Sequence, residues 1–164
     1  GFLLQNAAGI AYYSLSMEFN ATVNSPPVEL QNGTAGNSTI YMNSTSAKVS
    51  VTGGDFNHVL KFIEKDNSSW EVRLSAYDQS NITRLDNCSI YIYDGSNSTQ
   101  IVILNGTYNQ QTGPWYDLAA SDTEYIWMHV ATSSPGTSYV YAYLEIKVPD
   151  KTVYARYVIT FEIT

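Results

Sequence analysis

The chemistry written most densely into this chain sits at asparagine. Asn-x-Ser/Thr, the acceptor motif for N-linked sugar, occurs at Asn20, Asn32, Asn37, Asn43, Asn67, Asn81, Asn87, Asn97 and Asn105. These are nine of thirteen asparagines, where the Ser and Thr content alone would give about 2.6 by chance. One such motif says little. Nine point to an extracellular chain carrying covalent N-linked glycans, with no other cofactor expected. No catalytic constellation competes with them. His58 and His129 lack a Ser or Cys in a recognisable nucleophile setting and are expected to be structural. CxxC, HExxH and EF-hand spacings do not occur. Asp94-Gly95-Ser96-Asn97 and Asp86-Asn87 offer oxygen ligands, but Asp-Gly is first of all a turn, so no metal is expected. Paired carboxylates for glycoside hydrolysis converge only in space, which leaves a secreted glycosidase as a third alternative.

Fourteen tyrosines and three tryptophans make aromatic contact the next candidate chemistry. Tyr139, Tyr141 and Tyr143 form an outward stripe on one strand, and Trp115-Tyr116 falls in an expected loop. Such rings can stack on sugars or on a neighbouring subunit, although β-propensity and cross-strand pairing account for most of them. The net charge is -7 and the eight basic residues are scattered, which argues against nucleic acid as a partner. The single Cys88 cannot close an intrachain disulfide and is expected to be a buried thiol, with an intermolecular bridge as the lesser alternative.

A chain of 164 residues can form one domain with a sufficient core. Alternation of period two marks its strands. Trp70, Val72, Leu74 and Ala76 share a face, as do Ile126, Met128 and Val130; so do Val140, Ala142, Leu144, Ile146 and Val148, and Ala155, Tyr157, Ile159, Phe161 and Ile163. Shorter runs are expected at 28–30, 39–42, 47–51, 89–93 and 100–104, with a long loop over 105–114. Phe56–Lys65 is ambiguous: Phe56, Val59, Leu60 and Ile63 fit a helix, His58, Leu60 and Phe62 a strand, and the strand is preferred. About nine short strands with frequent turn signals predict an all-β, antiparallel sandwich of immunoglobulin-like or jelly-roll type over 14–164.

The first thirteen residues, GFLLQNAAGIAYY, stand apart. They carry no charge, and Phe2, Leu4, Ile10 and Tyr12 lie in the opposite phase to Leu15, Met17, Phe19, Ala21 and Val23 of the following strand. A slip of one residue moves every side chain to the other face, so the two runs do not form one strand. No turn residue between 11 and 19 allows a hairpin. The stretch is too short for a membrane span, which needs about 20 apolar residues. The simplest geometry is a projecting donor strand, with Phe2, Leu3, Leu4, Ala8, Ile10 and Tyr12 as its contact residues and another copy of the chain as its acceptor. The start at Gly1, without Met or a basic lead, fits a processed terminus. A signal-peptide remnant and an ordinary edge strand of the same domain remain the blander alternatives.

The GFLLQNAAGIAYY extension, the SLSMEFNATV strand with its Pro26-Pro27 break, and the density of sequons together resemble the archaeal surface filaments called threads. More loosely, they resemble bacterial pilins assembled by donor-strand complementation. The resemblance implies a head-to-tail fibre on the cell surface, serving adhesion or biofilm formation, in which each leading strand completes the sheet of a neighbour. Bacterial pilins of this class usually carry an internal disulfide, which this chain cannot. The expectation is therefore a non-enzymatic filament subunit whose partners are copies of itself. A secreted carbohydrate-binding or adhesive sandwich module is the alternative.

Overall fold

The computed structural model describes residues 27–33, 39–42 and 46–164, without the side chains of 39–42, 97–99 and 154. The expected donor strand at 1–13, and the sequons at Asn20, Asn37 and Asn43, lie outside the described residues. The strands in chain order are β1 (Val28–Asn32), β2 (Thr39–Met42), β3 (Ser46–Val51), β4 (Gly54–Glu64), β5 (Trp70–Ser80), β6 (Leu85–Tyr93), β7 (Asn97–Leu104), β8 (Thr107–Gln110), β9 (Tyr116–Leu118), β10 (Thr123–Thr132), β11 (Ser138–Lys147) and β12 (Val153–Ile163). They form two six-stranded sheets, ordered β1-β4-β10-β6-β7-β8 and β2-β3-β12-β11-β5-β9. One 3-10 turn at Ile82–Arg84 joins β5 to β6.

Alternation does what physics requires of a two-layer fold: each strand turns one row inward and one outward. Val72 and Leu74 of β5, Ile90 and Ile92 of β6, Ile126 of β10, Leu144 and Ile146 of β11, and Ile159 and Phe161 of β12 are fully buried between the sheets. Cys88 joins them on the inner row of β6, and burial pushes its thiol up to about 12, so it is an inert filler. The inward run of β11 stops one residue short of expectation, since Val148 is 40% exposed beyond the strand end.

Three departures from simple alternation shape the molecule. β3 pairs with β12 in parallel, Ser46 opposite Val158 through Val51 opposite Ile163, so the second sheet is mixed rather than purely antiparallel. In β4, Ile126 lies opposite Leu60 but Met128 opposite Phe56, leaving Asn57, His58 and Val59 to face Trp127 alone. His58 takes φ 60 in this bulge, and both Val59 and Leu60 are buried as a result. Finally, the expected loop over 105–114 begins as a tight hairpin into β8. Asn105 and Gly106 have φ of 49 and 74 between the paired Leu104 and Thr107, as a two-residue turn of type I′ demands. A Cβ at residue 106 would lie 2.6 Å from the Thr83 Cα, so no side chain fits there.

Two polar groups tie the layers. The buried Tyr157 hydroxyl of β12 donates to the Val28 carbonyl at 2.8 Å and accepts the Leu30 N–H at 3.4 Å, so it closes backbone groups of β1 in the opposite sheet. Glu64, 2% exposed at the end of β4, accepts the N–H groups of Asp66 (2.8 Å) and Ser121 (2.7 Å), joining two turns. Burial alone would raise the Glu64 carboxyl, but hydrogen bonds from Asp66, Ser121 and Ser68 together outweigh it and hold the group at about 2. Burial and Glu64 itself push the neighbouring Asp66 above its usual range. A carboxyl depressed by folding adds stability above its unfolded value of 4.5 and loses that stability as the pH falls towards 2. Asp66 acts in the opposite sense. Thermal unfolding followed across that window should therefore show stability declining as acid is added, with Glu64→Gln flattening the slope and Asp66→Asn steepening it. An unchanged slope in the Glu64→Gln protein would refute this role.

Candidate functional site

The outer face of the second sheet is saturated with its own contacts. Glu145 accepts from Arg73 Nε at 2.7 Å and pairs with Arg156 at 3.6 Å; Lys147 meets Glu71 at 3.1 Å and Lys48 meets Glu162 at 3.4 Å. Arg156 lies 4.1 Å over the Tyr143 ring, which stacks on Tyr77 at 4.2 Å. The expected tyrosine stripe is thus part of a charge and ring lattice. Trp115 is covered by Arg73 at 4.4 Å and Lys147 at 4.7 Å, while Tyr116 opens β9 and donates to Glu124 at 2.8 Å. Trp115 lies in a loop as expected, whereas Tyr116 belongs to a strand. Four of the eight basic residues are neutralised on this one face, which leaves no basic stripe there for phosphate.

The outer face of the first sheet is different. Because Cys88, Ile90 and Ile92 of β6 and Ile126, Met128 and Val130 of β10 point inward, the residues between them point out. Cross-strand register sets these in rows: Asn87 beside Ala131, Ser89 beside His129 beside Asp55, Tyr91 beside Trp127, and Tyr93 beside Tyr125 beside Lys61. The bulge in β4 brings His58 onto the same rings. Its imidazole stacks on Tyr125 at 3.9 Å and stands edge-on to Trp127 at 5.4 Å, and Trp127 leans on Tyr93 at 4.5 Å. A shallow depression of about 410 Å³ opens among Asp55, Asn57, Ser89, Tyr91, Trp127 and His129. His129 Nδ1 is hydrogen-bonded to Asp55. Two buried polar atoms have no partner among the described residues, Trp127 Nε1 and Asn87 Oδ1.

Ser89, His129 and Asp55 are the residue types of a hydrolytic triad on three adjacent strands. Their geometry does not make one. Ser89 forms no hydrogen bond to His129 among the described residues, and β6 and β10 each lie between two paired strands whose ladders occupy the backbone donors an oxyanion would need. What the row offers is a polar rim beside aromatic faces. Among the described residues no group of three His, Cys, Asp or Glu is placed to hold a metal ion. Asp94 instead accepts the N–H and hydroxyl of Ser96, both at 3.1 Å, closing its own turn.

Of the sequon asparagines, Asn32, Asn67, Asn81 and Asn105 are exposed, the last three in turns at φ 59, 56 and 49. Asn97 lies on β7 opposite Tyr93, and Asn87 is half-buried on β6. Sequence reasoning passed over Asp55, Asn57, Tyr91 and Trp127 as a group. The available signal was the concentration of Tyr, Trp and His in the outward phase of two separate strands, β6 and β10.

At the open margins, β12 has β11 on one side throughout, but β3 begins only opposite Val158. No strand among the described residues pairs with the other side of Val153–Tyr157, whereas 158–163 is flanked by β11 and β3. Among the described residues no helix is long and apolar enough to cross a membrane.

No family model and no curated protein matches the chain. Among solved structures it is similar to the CooA pilin subunit from enterotoxigenic Escherichia coli, at 14% identity over 85% of this chain and 98% of that one, with a TM-score of 0.44. A PapD-like domain of human CEP192 is similar at 11% identity over 87% and 90% of the two chains, with a TM-score of 0.43. The CfaE adhesin of enterotoxigenic E. coli is similar at 9% identity over 84% of this chain and 48% of that one, with a TM-score of 0.41. At these identities and scores the likenesses carry no functional assignment.

Proposed function

We propose that this chain is a non-enzymatic structural subunit of an extracellular, glycosylated filament that serves adhesion or biofilm formation. It polymerises head to tail, each copy giving residues 1–13 as a strand to the next. The observation that carries the proposal is the edge of β12 at Val153–Tyr157. Among the described residues this edge has no partner on one side, and it lies beside β1 of the facing sheet. An unpaired edge is a template for strand addition. The leading stretch has the composition to use it, with Phe2, Leu4, Ile10 and Tyr12 each contributing about 1.5–3 kcal/mol on burial. Ladder hydrogen bonds at about 0.5–1.5 kcal/mol each set the register. A heterologous contact of this kind does not close on itself and so gives an open fibre.

Deleting residues 1–13 should yield a folded monomer that no longer polymerises, and adding the 1–13 peptide should raise its thermal midpoint. Size-exclusion chromatography with light scattering reads the first result and calorimetry the second. A deletion protein that polymerises normally would remove the proposal. A carbohydrate-binding module is the second reading, favoured by the aromatic depression on the first sheet. Glycan binding by the deletion protein at micromolar affinity would support it.

A further inference from the structure

The depression on the outer face of β4, β10 and β6 plays no part in the strand joint, yet it has the features of an occupied site. We infer that it seats the chain's own sugar: a glycan carried on Asn87 lies over Tyr91 and Trp127. This rests on the reading of the chain as a glycoprotein and says where one of its glycans goes.

Position comes first. Asn87, Ser89 and Tyr91 alternate with the buried Cys88 and Ile90, so all three face outward along one strand. Outward neighbours on a strand are about 6–7 Å apart, which puts the rim at Ser89 one step from the attachment point and Tyr91 two steps away. The sequon Asn87-Cys88-Ser89 therefore opens onto the depression, and its own serine lines it. A short oligosaccharide stem reaches the rings without bending back on itself.

The chemistry agrees. Trp115 on the opposite face is covered by two cations, whereas the outer rings here are bordered by Asp55, Asn57, Ser89 and His129, which can donate to or accept from hydroxyl groups. Trp127 and Tyr91 are themselves only partly buried and line the depression, so their rings are open to a sugar laid across it. His58, held at φ 60 by the bulge, stacks its ring at the edge of the aromatic cluster.

The shape of the site decides between sources of sugar. A ligand site normally encloses roughly 70–90% of its ligand, and a shallow open trough does not, so a free saccharide would be held weakly. A tethered sugar arrives at an effective concentration on the order of millimolar and occupies the same site without added affinity. The covalent source wins.

The test uses native glycosylated protein. Glycopeptide mass spectrometry reads whether Asn87 is modified, and hydroxyl-radical footprinting reads the exposure of Tyr91 and Trp127. Asn87→Gln and Ser89→Ala both destroy the motif, and Ser89→Thr keeps it. The expected result is a glycan on Asn87, several-fold faster oxidation of both rings in the first two variants, and wild-type protection in the third. Unchanged oxidation despite an occupied Asn87 would overturn the seat and leave the glycoprotein reading standing. So would a bare Asn87 beside other occupied sequons. If every sequon is bare, both fall. Micromolar free glycan restoring protection to the Asn87→Gln protein would assign the trough to an external sugar instead.

Discussion

If the filament proposal holds, replacing Leu4 and Ile10 together by aspartate is expected to stop polymer growth and leave the sandwich folded. Both residues belong to the apolar phase of the leading stretch, and in the proposed joint each would contribute about 1.5–3 kcal/mol on burial. Aspartate forfeits that contribution and adds the cost of carrying a charge into an apolar contact. Losing two anchors weakens the joint by roughly a hundredfold or more, since every 1.4 kcal/mol is a factor of ten. Light scattering during dilution checks polymer length, and the thermal midpoint of the monomer checks that the body is intact. Filaments of wild-type length from the double variant would contradict the assignment of the strand.

The second large effect belongs to Arg84. This side chain, 4% exposed at the 3-10 turn, donates from Nε to the Ser134 carbonyl at 3.0 Å and from Nη1 to Ser138 Oγ at 2.9 Å and the Ile163 carbonyl at 3.0 Å. Its own carbonyl accepts the Ser133 N–H at 2.9 Å. One guanidinium thus fastens the β10–β11 turn, the start of β11 and the end of β12 to the connection between β5 and β6. Arg84→Ala leaves buried acceptors without donors at about 1–3 kcal/mol each and costs about 3–5 kcal/mol in all. That is a large share of the roughly 5–15 kcal/mol available to a domain. Arg84→Lys should recover only part, because an ammonium cannot reproduce the fork. Urea unfolding measures the difference, and a loss below about 1 kcal/mol for Arg84→Ala would show the network to be dispensable.

Both predictions draw on what the sequence makes visible and on what it hides. β5, β10, β11 and β12 were legible because their inward rows are unbroken, and a half-buried strand writes itself as alternation. β4 was ambiguous for a physical reason: its bulge puts Val59 and Leu60 side by side in the core, which imitates a helical period. β8 was hidden by Asn105-Gly106, which reads as loop until one asks which turn a Gly confined by Thr83 permits. The parallel pairing of β3 with β12 left no trace, since alternation carries no direction. The aromatic trough was half legible. Tyr125, Trp127 and His129 were visibly on the outer face of one strand, but their meeting with Tyr91, Ser89 and Asp55 depends on register, which is fixed only when the core closes. Arg84 gave no signal at all, because its partners are neutral groups 50 or more residues away.

The measurement that bears most directly on the filament proposal is electron cryomicroscopy of the native assembly at side-chain resolution. The account predicts residues 2–12 of one copy lying as a strand against Val153–Tyr157 of another. Continuous density carrying those residues into the sandwich of their own copy, with no strand crossing between subunits, would contradict it.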